Sequence, residues 1–178
     1  MIDHAERGPL VKTLLDIPLF EDLDYTQIGA LIDISTIEGT TVGQVLCKSR
    51  TIDQDLVILL EGTLYLESAQ GEFLDNLHAV RVIGEMGVFT GQVRSSQVLG
   101  TPDATVMVVP ALALEELLEE DPQLAHHLFS SLTKLLYTRL HDVNDDMAVL
   151  RNQTDLLKGR AEELSPDDPI LAELFPEE

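Results

Sequence analysis

Ile83-Gly84-Glu85-Met86-Gly87-Val88-Phe89-Thr90-Gly91-Gln92-Val93-Arg94-Ser95-Ser96-Gln97-Val98 is the most informative run of this chain. A strand ends at Gly84, where the chain can turn sharply. Glu85 to Phe89 has the length of one or two helical turns, and the unpaired N–H groups at such a helix start attract an anion. Gly91 breaks the turn. Arg94 then enters beside the same place, just before a new strand, and Arg is the side chain best matched to two phosphate oxygens at once. One Arg with a few backbone donors balances the single charge of a phosphodiester. Glu85 is an odd companion for a phosphate unless the ligand also offers a hydroxyl donor, a part that a ribose 2′-hydroxyl would fill. Ser95 and Ser96 are ordinary strand residues on their own, and only their position makes them interesting.

On both sides of this stretch the apolar period changes. Up to about Ser35 the chain reads as helical. Pro9 suits a helix start ahead of Leu10, Val11, Leu14 and Leu15; Pro18 interrupts, and Asp24 can cap a second helix carrying Ile28, Leu31 and Ile32. From Thr36 to Pro110, short β-rich runs alternate with Gly, Asp and polar turns: Thr41 to Leu46, Leu56 to Leu60, Thr63 to Glu67, Phe73 to Leu77, Ser96 to Leu99 and Ala104 to Val109. Strands so short and so closely spaced predict a sandwich or barrel, not a parallel sheet with crossover helices. Ala111 to Glu120 reads as a helix, and Asp121-Pro122 as the cap and first turn of another that runs to about Lys158. Phe129, Leu136, Val143, Leu150 and Leu157 recur every seven residues, with Thr133, Leu140, Met147 and Thr154 four places on. Together they form an a/d seam. Such a helix is too long to lie wholly on one small domain, which points to a partner helix.

Composition narrows the classes. Of 178 residues, 44% are hydrophobic, enough for a real core. There are 11 basic and 32 acidic residues, a formal charge of −21. That balance disfavours nucleic-acid polymers, which need a Lys or Arg for each phosphate neutralised, and anionic membranes for the same reason. It serves solubility, or recognition of a basic protein patch. No apolar run approaches the roughly 20 residues needed to span a bilayer. The start, Met1-Ile2-Asp3-His4-Ala5-Glu6-Arg7, lacks a basic region followed by an apolar stretch, so no secretory leader is expected. The one cysteine, Cys47, makes no internal disulfide and builds no metal site alone, which suits a reducing cytoplasm. His126 and His127 are adjacent and point to different sides of a helix, and His4, His78 and His141 show no ligand spacing. No nucleophile triad or Walker loop stands out.

The opening stretch resembles the phosphate-binding cassette of cyclic-nucleotide-binding domains, the β-roll type of the catabolite activator protein, the regulatory subunit of protein kinase A and nucleotide-gated channels. The family pattern is Gly-Glu-aliphatic-small-aliphatic, a short variable stretch, then Arg-small-Ala-polar-Val. This chain has Gly84-Glu85-Met86-Gly87-Val88 and Arg94-Ser95-Ser96-Gln97-Val98. Upstream, Leu19-Phe20-Glu21-Asp22-Leu23 is similar to the family's entry helices, and Leu56 to Leu66 to its central strand-turn-strand, with Gly62 at the turn. Ala111 to Lys158 looks like the hinge helix and long dimer helix, so the resemblance covers roughly residues 10 to 158. It departs at Val93, where many members carry Pro, and at Ser96, where many carry Ala. Ala79-Val80-Arg81-Val82 lacks a usual glycine, and Gly87 replaces a common Ala.

The resemblance implies a mainly β fold with flanking helices: a double-stranded β-helix, or jelly-roll-like β-roll, with N-terminal helices and a long C-terminal helix. The expected parts are residues 1–35 as the N-terminal helical segment and 36–110 as the cyclic-nucleotide-binding roll. Residues 111–160 would be the hinge helix and dimerisation helix, and 161–178 an acidic tail, docked through Ile170, Leu171, Leu174 and Phe175. By position, Glu85 would bind the ribose 2′-hydroxyl, assisted by the Gly84 backbone. The Met86 and Gly87 amides would face the phosphate, Arg94 would pair with it, and Ser95 and Ser96 would complete the site. The base would meet the long helix near Tyr137, Thr138, Arg139 or His141. The implied protein is a cytoplasmic, homodimeric, non-enzymatic regulatory module with no cofactor or metal. It would bind cAMP, cGMP or a cyclic dinucleotide, move the helix that begins near Ala111, and signal through a protein partner. With only an acidic, Pro-containing run after Lys158, no DNA-binding domain is expected. The alternative is a degenerate roll that serves as a dimeric scaffold without nucleotide binding. A single cysteine excludes a four-thiolate iron–sulfur cluster.

Overall fold

Two antiparallel four-stranded sheets carry the middle of the chain in the computed structural model, which describes residues 4–51 and 55–164. The strands are β1 (Thr36–Gly39), β2 (Val45–Cys47), β3 (Leu56–Glu61), β4 (Thr63–Ser68), β5 (Phe73–His78), β6 (Arg81–Ile83), β7 (Ser96–Leu99) and β8 (Thr105–Val109). One sheet has the order β1-β8-β3-β6 and the other β2-β7-β4-β5. The helices are α1 (His4–Leu15), α2 (Tyr25–Asp33), α3 (Glu85–Thr90), α4 (Ala111–Glu120) and α5 (Pro122–Leu164). This is the expected β-roll with flanking helices and a long C-terminal helix.

Period-two alternation explains how the sheets make a core. Val57 and Leu59 of β3, Leu64 of β4, Val98 of β7 and Val106 of β8 meet Cys47, Leu77, Ile83 and Ala104 in one buried cluster. The intervening residues Leu56, Ile58, Met107 and Val109 face the other way and are equally buried. A strand apolar on both faces needs a second layer, and the buried residues of the helical segments are available for it: Leu14, Phe20, Ile28, Leu31, Leu114 and Leu124.

Local chemistry sets the helix starts. Asp24 accepts from the Thr26 and Gln27 amides while Gln27 Oε1 accepts from the Asp24 amide, a complete capping box on α2. Asp121 caps α5 through the Gln123 and Leu124 amides. Four readings need correction. Pro9 lies inside α1, which begins at His4, so it does not open that helix. The run expected from Thr41 to Leu46 is a turn followed by β2, because the Gln44 N–H donates to the Thr41 carbonyl and closes the turn, while Gly43 and Gln44 bond across to Gly100. Thr36–Gly39 is a strand, held by pairing with β8 although its residues are exposed. Finally, α5 continues past Lys158 to Leu164. The proposed docking of the tail through Ile170, Leu171, Leu174 and Phe175 lies outside the described residues.

The chain divides into two units, residues 1–132 and 133–178. In the first, the opening turns of α5 bury Leu124, Leu128 and Leu132, and Ser131 Oγ donates to Asp22 at 3.1 Å. His127 Nδ1 lies 3.2 Å from Gln27 Oε1. In the second, the helix exposes Leu140, Val143, Met147, Leu150 and Leu157. Among the described residues no helix is long and apolar enough to cross a membrane.

Candidate functional site

Gly84 joins β6 to α3 and does so in the left-handed region, with φ 88° and ψ 8°. A side chain is strained there, and it would also be crowded. A Cβ at this position would sit 2.7 Å from Arg94 Cζ and 2.8 Å from Nη2, and would overlap Nη1 outright. The glycine is thus the floor on which the arginine head rests. The first bond of the α3 ladder runs from the Val88 N–H to the Gly84 carbonyl, so the Met86 and Gly87 amides stand ahead of it at the helix's open end. At the far end Gly91 closes α3 with φ 65°.

Arg94 approaches from the loop before β7. Its main chain is clamped on both sides by the Lys48–Thr51 turn: the Arg50 N–H donates to the Arg94 carbonyl at 2.9 Å, and the Arg94 N–H to the Thr51 carbonyl at 3.3 Å. Its side chain turns inward and is 8% exposed. Nη2 donates to the Asp55 carbonyl at 2.7 Å, and Nη1 to Cys47 Sγ at 3.2 Å. The guanidinium thus brings a positive charge beside the α3 amides. Glu85, in the first turn of α3, is 5% exposed. Asp55 also reaches away from the site, where its carboxylate accepts from the Ala111 N–H at 3.0 Å.

Of the residues singled out, the structure gathers Gly84, Glu85, Met86, Gly87 and Arg94 around one short helix. Ser95 is exposed and Ser96 half-buried at the start of β7, their hydroxyls 3.5 Å apart. Tyr137, Thr138, Arg139 and His141 belong to the second unit and are exposed; the Tyr137 and His141 rings stack nearly parallel, 6.1 Å apart. Cys47, Asp55 and the Lys48–Thr51 turn were not anticipated as neighbours of Arg94. An Asp ahead of an all-apolar strand is a weak signal, and nothing local marks the thiol. Phe89 of α3 packs edge-on against Phe129 of α5, with ring centroids 5.5 Å apart, so the short helix also touches the first turns of α5. Among the described residues no group of three or more His, Cys, Asp or Glu is placed to hold a metal ion.

Residues 41–121 match the family model of the cyclic nucleotide-binding domain. A search among curated proteins gives no match. Solved structures share the fold. The catabolite activator protein of Thermus thermophilus superposes with TM-score 0.60 at 20% identity, over 75% of this chain and 63% of that one. The regulatory domain of Toxoplasma gondii protein kinase A, solved with cAMP, gives 0.60 at 15% identity, over 78% and 51%. The regulatory subunit of a cAMP-independent protein kinase A from Trypanosoma brucei gives 0.59 at 16%, over 74% and 47%. This chain therefore spans less than two thirds of the length of each of the three.

Proposed function

We propose that this chain, whose residues 41–121 form a cyclic nucleotide-binding domain, binds cAMP or cGMP at the Gly84–Ser96 cassette and passes that event to a protein partner. The observation that carries the reading is the seating of the buried Arg94 guanidinium against Gly84, at the open end of α3. A cyclic phosphate placed there would meet the Met86 and Gly87 amides, the guanidinium, and the Ser95 amide and hydroxyl, with Ser96 beside them. The Glu85 carboxylate, whose oxygens accept hydrogen bonds, would take the ribose 2′-hydroxyl. Such domains are generally binding modules and not enzymes, and a regulatory role follows. The exposed seam of α5 suits a homodimer. The charge of −21 argues for an output through protein and against nucleic acid, and the single cysteine suits a cytoplasmic setting.

A second reading, a dimeric scaffold without nucleotide binding, draws on two observations. Arg94 already donates to Asp55 and Cys47. The cassette also departs from the family at Gly87, Val93 and Ser96. Calorimetric titration of the wild-type chain and Arg94→Ala separates the two readings, using protein freed of ligand by unfolding and refolding. The panel is cAMP, cGMP and a cyclic dinucleotide. Removing the arginine should cost about 2–5 kcal/mol of binding, as for one partner lost from a buried charge pair. Equal affinity in the variant removes the cassette assignment, and no binding of any ligand by the wild type supports the scaffold.

A further inference from the structure

One short segment, Cys47 to Thr51, holds both the main chain and the side chain of Arg94. The Arg50 N–H donates to the Arg94 carbonyl, the Arg94 N–H donates to the Thr51 carbonyl, and Cys47 Sγ accepts from Arg94 Nη1 at 3.2 Å. A bulge brings the sulfur to that place. β2 and β7 pair as Val45 with Leu99 and then as Cys47 with Val98, so the register shifts by one residue at Leu46. In an unbroken ladder Cys47 would lie opposite Gln97 and share the outer face with Val45, which is exposed. The extra residue turns it inward instead. It lies opposite the buried Val98, in the core cluster with Val57 and Ile83, and is 1% exposed.

The guanidinium atom that the sulfur meets is the one closest to the candidate anion site. Nη1 lies nearest to where a Gly84 Cβ would stand, at the open end of α3. A thiol sulfur is a weak acceptor, whereas a phosphate oxygen is an anionic one and binds a guanidinium strongly. Nη1 can therefore exchange the first for the second at small cost. An oxygen acceptor at position 47 would hold it more firmly.

We propose that Cys47 is a positioning residue for the nucleotide: its sulfur holds Arg94 Nη1 over Gly84 and yields it to the phosphate. The strength of the acceptor at position 47 thereby sets the affinity of the cassette. This role rests on the reading of the cassette as a phosphate site.

Calorimetric titration of cAMP and cGMP into the full chain, freed of ligand by unfolding and refolding, tests it in the wild type, Cys47→Ser, Cys47→Ala and Cys47→Val. Ser offers a stronger acceptor and should weaken binding by about fivefold, the net worth of one ordinary hydrogen bond. Ala and Val offer no acceptor and should both tighten binding, by about twofold to threefold, as for the loss of a weaker bond. Val keeps the site filled should Ala fail to fold. Damage to the core would have the opposite sign in Ala and Val, because a disturbed pocket binds less well. In an Arg94→Lys background, which keeps a charge but has no Nη1, the Ser, Ala and Val effects should shrink to within about twofold, the usual limit for independent sites. Ala and Val variants that bind no tighter than a nucleotide-binding wild type overturn the role of Cys47 alone, and so do effects of full size in the Lys background. No binding of either nucleotide by the wild type overturns the nucleotide reading and this role with it.

Discussion

Replacing Gly84 by Ala measures how closely Arg94 is seated, and Gly91→Ala provides the control. Both glycines flank α3 in left-handed conformations, so each substitution carries a backbone penalty of about 1–2 kcal/mol, the larger at Gly84 with its φ of 88° against 65°. Their surroundings differ. A Cβ at Gly91 meets nothing within 4 Å, whereas one at Gly84 meets three atoms of the Arg94 guanidinium. To admit it, the guanidinium must shift, which strains its bonds to Cys47 Sγ and the Asp55 carbonyl, and a hydrogen bond to a charged group is worth about 1.5–3 kcal/mol. Gly84→Ala should therefore lose about that much more stability than Gly91→Ala. The excess should vanish when both are made in an Arg94→Ala background, because the clash has no partner there. Urea unfolding followed by far-UV circular dichroism gives the four differences needed for the cycle. A coupling between positions 84 and 94 within about 0.5 kcal/mol of zero, the usual additivity of independent sites, would refute the seating of Arg94 on Gly84.

Glu85→Gln should weaken cyclic ribonucleotides more than their 2′-deoxy analogues; equal losses would mean that Glu85 does not read the hydroxyl. Leu140, 61% exposed on the seam, should be needed for association: Leu140→Glu should give a monomer by light scattering at micromolar concentration while nucleotide binding persists at reduced affinity. A wild-type mass of one chain across a range of salt defeats the dimer. The Arg7 guanidinium forks onto Asp33, with Nη1 at 2.6 Å and Nη2 at 2.8 Å, and joins α1 to α2. This hydrogen bond, with a smaller charge attraction, outweighs partial desolvation and holds the Asp33 carboxyl below its ordinary range. A depressed folded-state pKa contributes stability that is present above the ordinary carboxylate range and lost as pH falls below that range and through the depressed value. Thermal melts should show Asp33→Asn less stable than wild type near neutrality, by a small amount because the pair is exposed, with the gap closing in acid. A gap that persists unchanged in acid would mean that the ion pair is not its source.

The features legible in the sequence are those whose cause is local. Alternation announces β4, which presents one face to the core, and continuous apolar runs announce β3 and β8, which are buried on both faces. Asp24 and Asp121 announce helix starts, because a cap and the amides it satisfies lie within three residues. The cassette could be read for the same reason: Gly84, the α3 amides and Arg94 come from one stretch of chain. Thr36–Gly39 shows the opposite case, since its four exposed residues carry no core face and become a strand only through pairing with β8.

The seven-residue repeat of α5 was visible, but which row would be buried was not. Leu124, Leu128 and Leu132 pack into the first unit, while Leu140, Val143 and Met147 of the a/d rows stay exposed, because burial depends on what lies opposite each row. Arg94 is the clearest division between the two sources of information. Its identity and its place before β7 make it a candidate anion ligand in the sequence. Its hold on Asp55, 39 residues away, and on Cys47, 47 away, is decided by tertiary structure. A backbone carbonyl accepts a hydrogen bond whatever its side chain, so the sequence carries no sign of which carbonyl the folded chain will bring to a guanidinium.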